Sequence, residues 1–138
     1  MTEANRKLAI RWMQEVWNEK VEATIEEILA PDVVGHMEGS DIHGPVEFRA
    51  ARNSLLSAFP DIRITVDGTV AEADCVVVRW SVVGTHLGEG LGFAASGQPV
   101  GFRGMSWMRF KDGKAVETWD SWNQGALLAS LRPAAPIS

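Results

Sequence analysis

Lys114–Asn123, KAVETWDSWN, decides the fold, together with the Lys111-Asp112-Gly113-Lys114 segment that leads into it. The Asp-Gly pair between β-rich runs is a two-residue hairpin signal. The first half of the stretch alternates like a strand. In a strand, Thr118, Asp120 and Trp122 share one face, and Glu117, Trp119 and Ser121 share the other. Two readings of Asp120 follow. If the Thr118/Trp122 face looks into a cavity, Asp120 is a carboxylate in an apolar wall, and burial raises its pKa towards that of a usable base near neutral pH. Alternatively, Asp120 ends the strand and caps the next turn. The pattern alone leaves both open.

Upstream of the hairpin, Val100 to Phe110 reads as the partner strand and Ser96-Gly97-Gln98-Pro99 as a turn. Gly88-Glu89-Gly90-Leu91-Gly92 is followed by a β-type run rather than a helix. It reads as a flexible excursion, not a phosphate loop. Cys75 to about Gly88 is a strand with Val on both faces, which predicts that both are at least partly covered. Ile62-Arg63-Ile64-Thr65-Val66 alternates. Gly68 is then a bulge in a long strand, with an Asp67-Gly68 hairpin turn as the alternative, and Ala71–Asp74 is the preferred turn.

The first 60 residues have a different texture. Ala9, Trp12, Met13, Val16 and Trp17 recur at helical spacing, predicting an amphipathic helix over residues 4–18. Thr24-Ile25-Glu26-Glu27 matches a capping box for a short helix that stops at Ala30-Pro31. Asp32–His36 is a short β-like run, and 37–44 (MEGSDIHG) a polar loop. Pro45 opens a third helix with the stripe Phe48, Ala51, Leu55, Phe59. Gln124–Leu131 adds one or two helical turns, and the tail 133–138 is expected to fray. Helices followed by an antiparallel meander mean an α+β fold. A long curved sheet wrapped on helices makes a cone whose mouth holds a small ligand.

Composition narrows the partners. The 138 residues suit one domain, 1–138, at 46% hydrophobic and 22% charged. A net charge of -5 argues against nucleic acid or an anionic membrane as partner. No run approaches the roughly 20 apolar residues of a membrane span. MTEANRKLAIRW lacks an uninterrupted apolar core and mixes charges, so no secretory signal is expected. The single cysteine, Cys75, opens an apolar run and reads as a buried structural thiol in a reducing, cytoplasmic setting. Six Trp, five Phe and no Tyr supply large apolar walls with few hydroxyls. The tryptophans are expected to be mostly core, with one or two facing a cavity.

Several segments in order resemble the SnoaL-like polyketide cyclase family: Ala30-Pro31-Asp32-Val33-Val34, Ala58–Arg63 (AFPDIR), Val78-Arg79-Trp80, Gly84–Gly88 (GTHLG), Gly97, Arg109-Phe110, Asp112-Gly113-Lys114 and Val116–Asp120 (VETWD). The resemblance runs from about Lys7 to Leu131. It implies the cone-shaped α+β barrel shared with nuclear transport factor 2 and ketosteroid isomerase, a fold that hosts many chemistries. It implies that Asp120, in the Trp-Asp pair, acts as acid/base in an intramolecular aldol condensation that closes a polyketide ring. It also implies no cofactor, a hydrophobic small-molecule substrate, and a homodimer or higher homo-oligomer through the outer sheet face, with Trp119 one candidate. The chain departs from the family at Thr118, where His is frequent, and at His36-Met37-Glu38, which replaces a His-Asp-Pro-like segment.

The expected substrate-binding set is His36, Asn53, Trp80, His86, Thr118 and Trp122. His86 ends a strand with the parity of Trp80 and Val82 and could hydrogen-bond a substrate carbonyl; a packing histidine bonded to backbone is the alternative. His36 lies near a loop start, at the cavity mouth or in solvent. Asn53 adjoins the third-helix stripe and is either a buried amide offering hydrogen bonds or an exposed one. Arg79 is expected to pair with an acid and fix the sheet, with a place in the pocket lining as the alternative. The histidines show no ligand spacing and one cysteine completes no zinc set, so no metal is predicted. Other reactions on the same cone stay open: isomerase or dehydratase chemistry, an epoxide hydrolase (which needs a second aspartate not found), or a binding protein without turnover.

Overall fold

The computed structural model describes residues 2–132; the tail 133–138 lies outside the described residues. The order is α1 (Thr2–Arg11), a π-helical segment (Trp12–Asn18), α2 (Ala23–Ile28), β1 (Leu29–Met37), β2 (Ser40–His43), α3 (Gly44–Ala58), β3 (Arg63–Glu72), β4 (Cys75–Thr85), β5 (Pro99–Lys111), β6 (Lys114–Trp122) and α4 (Gln124–Leu131). The six strands form one curved, unclosed sheet in the order β2-β1-β6-β5-β4-β3. All neighbours are antiparallel except β1 and β6. The fold is thus α+β with an open cone rather than a closed barrel.

The Asp112-Gly113 turn forms as predicted. Both residues have positive φ, 52° and 78°, which joins β5 to β6 with the twist a two-residue hairpin needs. Gly68 is a bulge, not a turn: the β3–β4 register shifts between Val66 and Gly68, and the chain reverses at Ala73-Asp74. Val76, Val78, Trp80 and Val82 of β4 and Met108 and Phe110 of β5 form the sheet side of the core, and Ala9, Trp12, Met13, Val16, Phe48 and Phe59 the helical side. The opposite face carries no helix. Val83 and Trp107 there are 58% and 51% exposed, so the expected cover on both faces of β4 fails at Val83.

Several local expectations are corrected. The first helix turns π-helical at Trp12, where the wider turn keeps Trp12, Met13 and Val16 buried. Thr24 does not cap α2: it lies inside the helix, where its hydroxyl donates to Glu15 Oε1 at 2.7 Å, so the capping box is absent. The helix ends at Ile28, and β1 already runs through Pro31. Residues 40–43 are a strand rather than loop, reversed from β1 by Gly39 at φ +81°. The glycine-rich segment is no loose excursion. A Cβ at Gly88 or Gly90 would lie within 2 Å of the Ser57 or Ser54 carbonyl oxygen (1.8 and 1.9 Å), so the segment seats its backbone on the end of α3. Cys75 is half-buried and its thiol meets Asp74 Oδ1 at 3.4 Å. Arg79 is exposed and pairs with no acid among the described residues.

Candidate active site

Strand β6 passes its side chains alternately to the two faces of the sheet, and Asp120 falls on the helix-covered one. Asn123, not Asp120, caps α4, accepting from the Ala126 N–H at 3.0 Å. Asp120 is directly opposite Ser106 on β5. The Ser106 hydroxyl donates to Asp120 Oδ1, and the Trp80 Nε1–H donates to Ser106 Oγ at 3.0 Å. This chain fixes the serine proton towards the carboxylate. Oδ2 accepts no hydrogen bond among the described residues. Burial pushes the Asp120 carboxyl above its usual range, and the Ser106 hydrogen bond only partly opposes the rise.

Asp120 lines a cavity with about 660 Å³ of empty space, its open mouth included. The walls are apolar and aromatic: Trp12 and Trp17 from the π segment, Phe48 and Leu55 from α3, Trp80, Phe102 and Trp122 from the sheet. Four tryptophans therefore face the cavity, where one or two were expected, because the π segment presents two more. Phe102 stacks on Trp122 at 4.6 Å and Trp80 meets Trp122 edge-on at 6.5 Å. Gly104 makes that approach possible: a Cβ there would lie 2.9 Å from Trp80 Cη2 and 2.7 Å from Trp122 Cβ.

The six expected binding residues divide. Trp80 and Trp122 line the cavity, and Thr118 lines a smaller recess behind Asp120. His36, Asn53 and His86 are not brought to it. His36 lies on the uncovered face, stacked on Trp119 at 5.5 Å, with Nε2 at 2.7 Å from Glu117 and Nδ1 at 3.0 Å from Asp41. The cause is the parallel β1–β6 pairing, which sets His36 beside Trp119. Asn53 is exposed, its Oδ1 accepting from Arg52. His86 is fully buried behind Phe59 and Phe93, and its Nδ1 accepts from the Ser96 N–H at 3.0 Å. Its Nε2 is buried without a partner among the described residues.

Two residues escaped the sequence reading. Ser106 was hidden by a bulge: Lys111 pairs with Lys114, but a shift between Arg109 and Phe110 moves the partner of Asp120 from Met105 to Ser106. Arg52 lines the cavity from α3 and is 2% exposed. It stands four residues after Phe48, so helical spacing places it on the same stripe. Among the described residues no three His, Cys, Asp or Glu side chains gather as a metal set, and no helix is long and apolar enough to cross a membrane.

A family model for SnoaL-like polyketide cyclases matches residues 7–131. The chain belongs to the SnoaL-like polyketide cyclase family. Among solved structures, a proposed SnoaL-like polyketide cyclase from Jannaschia sp. CCS1 superposes with a TM-score of 0.89 at 22% identity, covering 96% of this chain and 95% of that one. AclR from Streptomyces galilaeus, a proposed hydroxylase, gives 0.82 at 29% identity and coverages of 94% and 96%. IdmH from Streptomyces antibioticus, a proposed polyketide cyclase, gives 0.78 at 25% identity and coverages of 91% and 96%. The fold is the nuclear transport factor 2-like one. No protein of curated function matches the chain. Membership in the SnoaL-like family supports a cyclase-type function in general terms, and with it an enzyme acting on small molecules.

Proposed function

We propose that this SnoaL-like protein closes a ring in a polyketide-like substrate by intramolecular aldol condensation, with Asp120 as the acid/base. The observation that carries the reading is a carboxylate in an aromatic cavity, alone among the described lining residues, with one oxygen held by Ser106 and the other accepting from no described residue. Asp120 Oδ2 takes the proton from a carbon next to a carbonyl. The enolate carbon attacks a second carbonyl of the same molecule, forming the C–C bond. The resulting alkoxide recovers the proton from the Asp120 carboxylic acid. Atoms and charge balance without a cofactor, since the substrate supplies both reacting carbons. The protein contributes orientation and a base whose burial brings it nearer working pH. The aromatic walls suit a planar, fused substrate held face-on.

The test is turnover and ligand binding of polycyclic β-ketoesters and anthraquinone-type ligands, with wild type and Asp120→Asn in parallel. The expected result is that both bind and only wild type converts. Equal binding without conversion by either protein removes the catalytic role of Asp120 and leaves a binding protein. AclR makes hydroxylation the second reading; dioxygen uptake in the same assay separates it from ring closure, which consumes none. A homodimer through the face that carries Trp107 and Trp119 belongs to the same proposal, and sedimentation measures it.

A further inference from the structure

Arg52 is an unusual lining group for an apolar cavity. Its side chain is 3% exposed, yet it carries a full positive charge. Its contacts account for only part of the guanidinium. Nε donates to the Val16 carbonyl at 3.1 Å and Nη1 to Asn53 Oδ1 at 3.1 Å. The nearest carboxylate, Glu22, is 3.6 Å from Nη1, lies 59% exposed, and also serves Arg49 at 3.5 Å. Nη2 donates to no described residue, and it is not among the atoms sealed off inside the protein. Burial accordingly lowers the Arg52 pKa, with Glu22 opposing. A buried charge this weakly matched is costly unless another anion completes it.

The other charged group of the cavity does not complete it. Asp120 stands on the sheet wall and Arg52 on the helical wall. Asp120 takes its hydrogen bond from Ser106, Arg52 gives its own to Val16 and Asn53, and the two form no ion pair. Both line the same cavity.

We propose that Arg52 is an anion subsite of this cavity, so that the favoured ligand is planar and apolar with one anionic oxygen, a carboxylate or an ionised hydroxyl. The inference rests on the reading of the cavity as the substrate site and adds the charge the substrate carries. The guanidinium binds that oxygen by a charge-assisted hydrogen bond, far stronger in a water-poor site than at a surface. The substrate is thereby anchored at the helical wall, with its reacting carbon presented to Asp120 on the sheet wall.

The experiment measures binding of three probes by quenching of the cavity tryptophans: anthraquinone-2-carboxylate, its methyl ester, and a hydroxyanthraquinone across its own ionisation. Wild type is expected to bind the carboxylate at least about tenfold more tightly than the ester, or to gain about tenfold for the hydroxyanthraquinone as it ionises. Whichever of the two preferences appears names the source of the anionic oxygen. Arg52→Met abolishes the preference while the ester affinity stays within about threefold. Asp120→Asn keeps or increases it, because a competing negative charge is gone. Equal affinity of wild type for charged and uncharged probes, including no binding of either, overturns the proposal. So does a preference that survives in Arg52→Met. If Arg52→Met does not fold, Arg52→Gln retains an amide N–H for the Val16 carbonyl and is read by the same criteria. Turnover by Asp120→Asn is a separate readout, so failure of the aldol reading and failure of the anion subsite give different results.

Discussion

Strand β6 carries two carboxylates three residues apart, and the sheet sends them to opposite faces. Asp120 faces the aromatic cavity, with one hydroxyl for a partner, and burial pushes its pKa up. Glu117 faces outward, where His36 at 2.7 Å and Arg109 at 3.2 Å hold it below its usual range. His36 is raised in turn, chiefly by Glu117 and then by Asp41. Both its ring nitrogens meet carboxylate oxygens, which only accept, an arrangement that favours the doubly protonated imidazole. The same functional group is pushed towards its neutral form on one side of the sheet and settled as a charged counter-ion on the other. Surroundings, not residue type, assign the chemistry.

The largest expected effect breaks this contrast directly. Asp120→Asn lowers kcat/KM for ring closure by about 10²–10⁴, the usual worth of a general base, while Glu117→Gln stays within a factor of about three. Comparable losses from both would deny the two faces separate roles. Next comes the hydrogen bond that tempers Asp120. In wild type, kcat/KM rises with pH as Asp120 ionises, above the ordinary aspartate range. Ser106→Ala removes the bond that favours the carboxylate, so this rise moves up by about one pH unit. A shift downward would contradict the geometry.

Stability sharpens the comparison through its sign. The folded pKa of Asp120 lies above the unfolded one. Its contribution is fully present below the unfolded value and lost as pH rises through the folded one. Asp120→Asn keeps the Ser106 hydrogen bond without the charge. Its Tm at pH 7 is therefore expected to exceed that of wild type by about 3 °C or more, with the gap closing near pH 4. Glu117 runs the other way: its folded pKa is depressed, so its contribution is present above the ordinary glutamate value and fades as pH falls through the folded one. Melting curves of Glu117→Gln against pH should show a deficit at neutrality that disappears in acid. The smallest effect belongs to His36. Its contribution is fully present below the ordinary histidine pKa and lost as pH rises through the raised one. An NMR titration should place His36 above the ordinary histidine value in wild type and lower it in Glu117→Gln.

What the sequence made legible follows from how far each signal reaches. The shared face of Thr118, Asp120 and Trp122 was readable because strand parity is local, and the Asp112-Gly113 turn because its backbone chemistry sits in two residues. Counting from Ala115 would have failed: the bulge at Val116 reverses parity, and only the pattern within 117–122 gave the right face. His36 was misread because its face depends on β1 lying parallel to β6, a pairing across some eighty residues that no local pattern contains. Asn53 takes the exposed of its two readings, and Arg52, which no local pattern singled out, takes the cavity position beside it for a similar reason. A charged side chain belongs outside by default, and what admits Arg52 is a carbonyl in another helix, 36 residues away in sequence. The outcome at His86 came from packing behind Phe59 and Phe93, which strand parity places inside but cannot aim.

That carbonyl is free because of the π segment. Over Trp12–Asn18 the backbone hydrogen bonds reach one residue further than in an α-helix, as from the Glu19 N–H to the Gln14 carbonyl, and the Val21 N–H passes over Val16 to bond Glu15. The consequence concerns length rather than identity. Deleting a single residue between Trp12 and Asn18 lets the helix relax to ordinary spacing and reclaim the Val16 oxygen, stranding a cation that no substitution has touched. If Arg52 is the anion subsite, a one-residue deletion in this segment is expected to change which molecules the cavity accepts with no lining residue substituted.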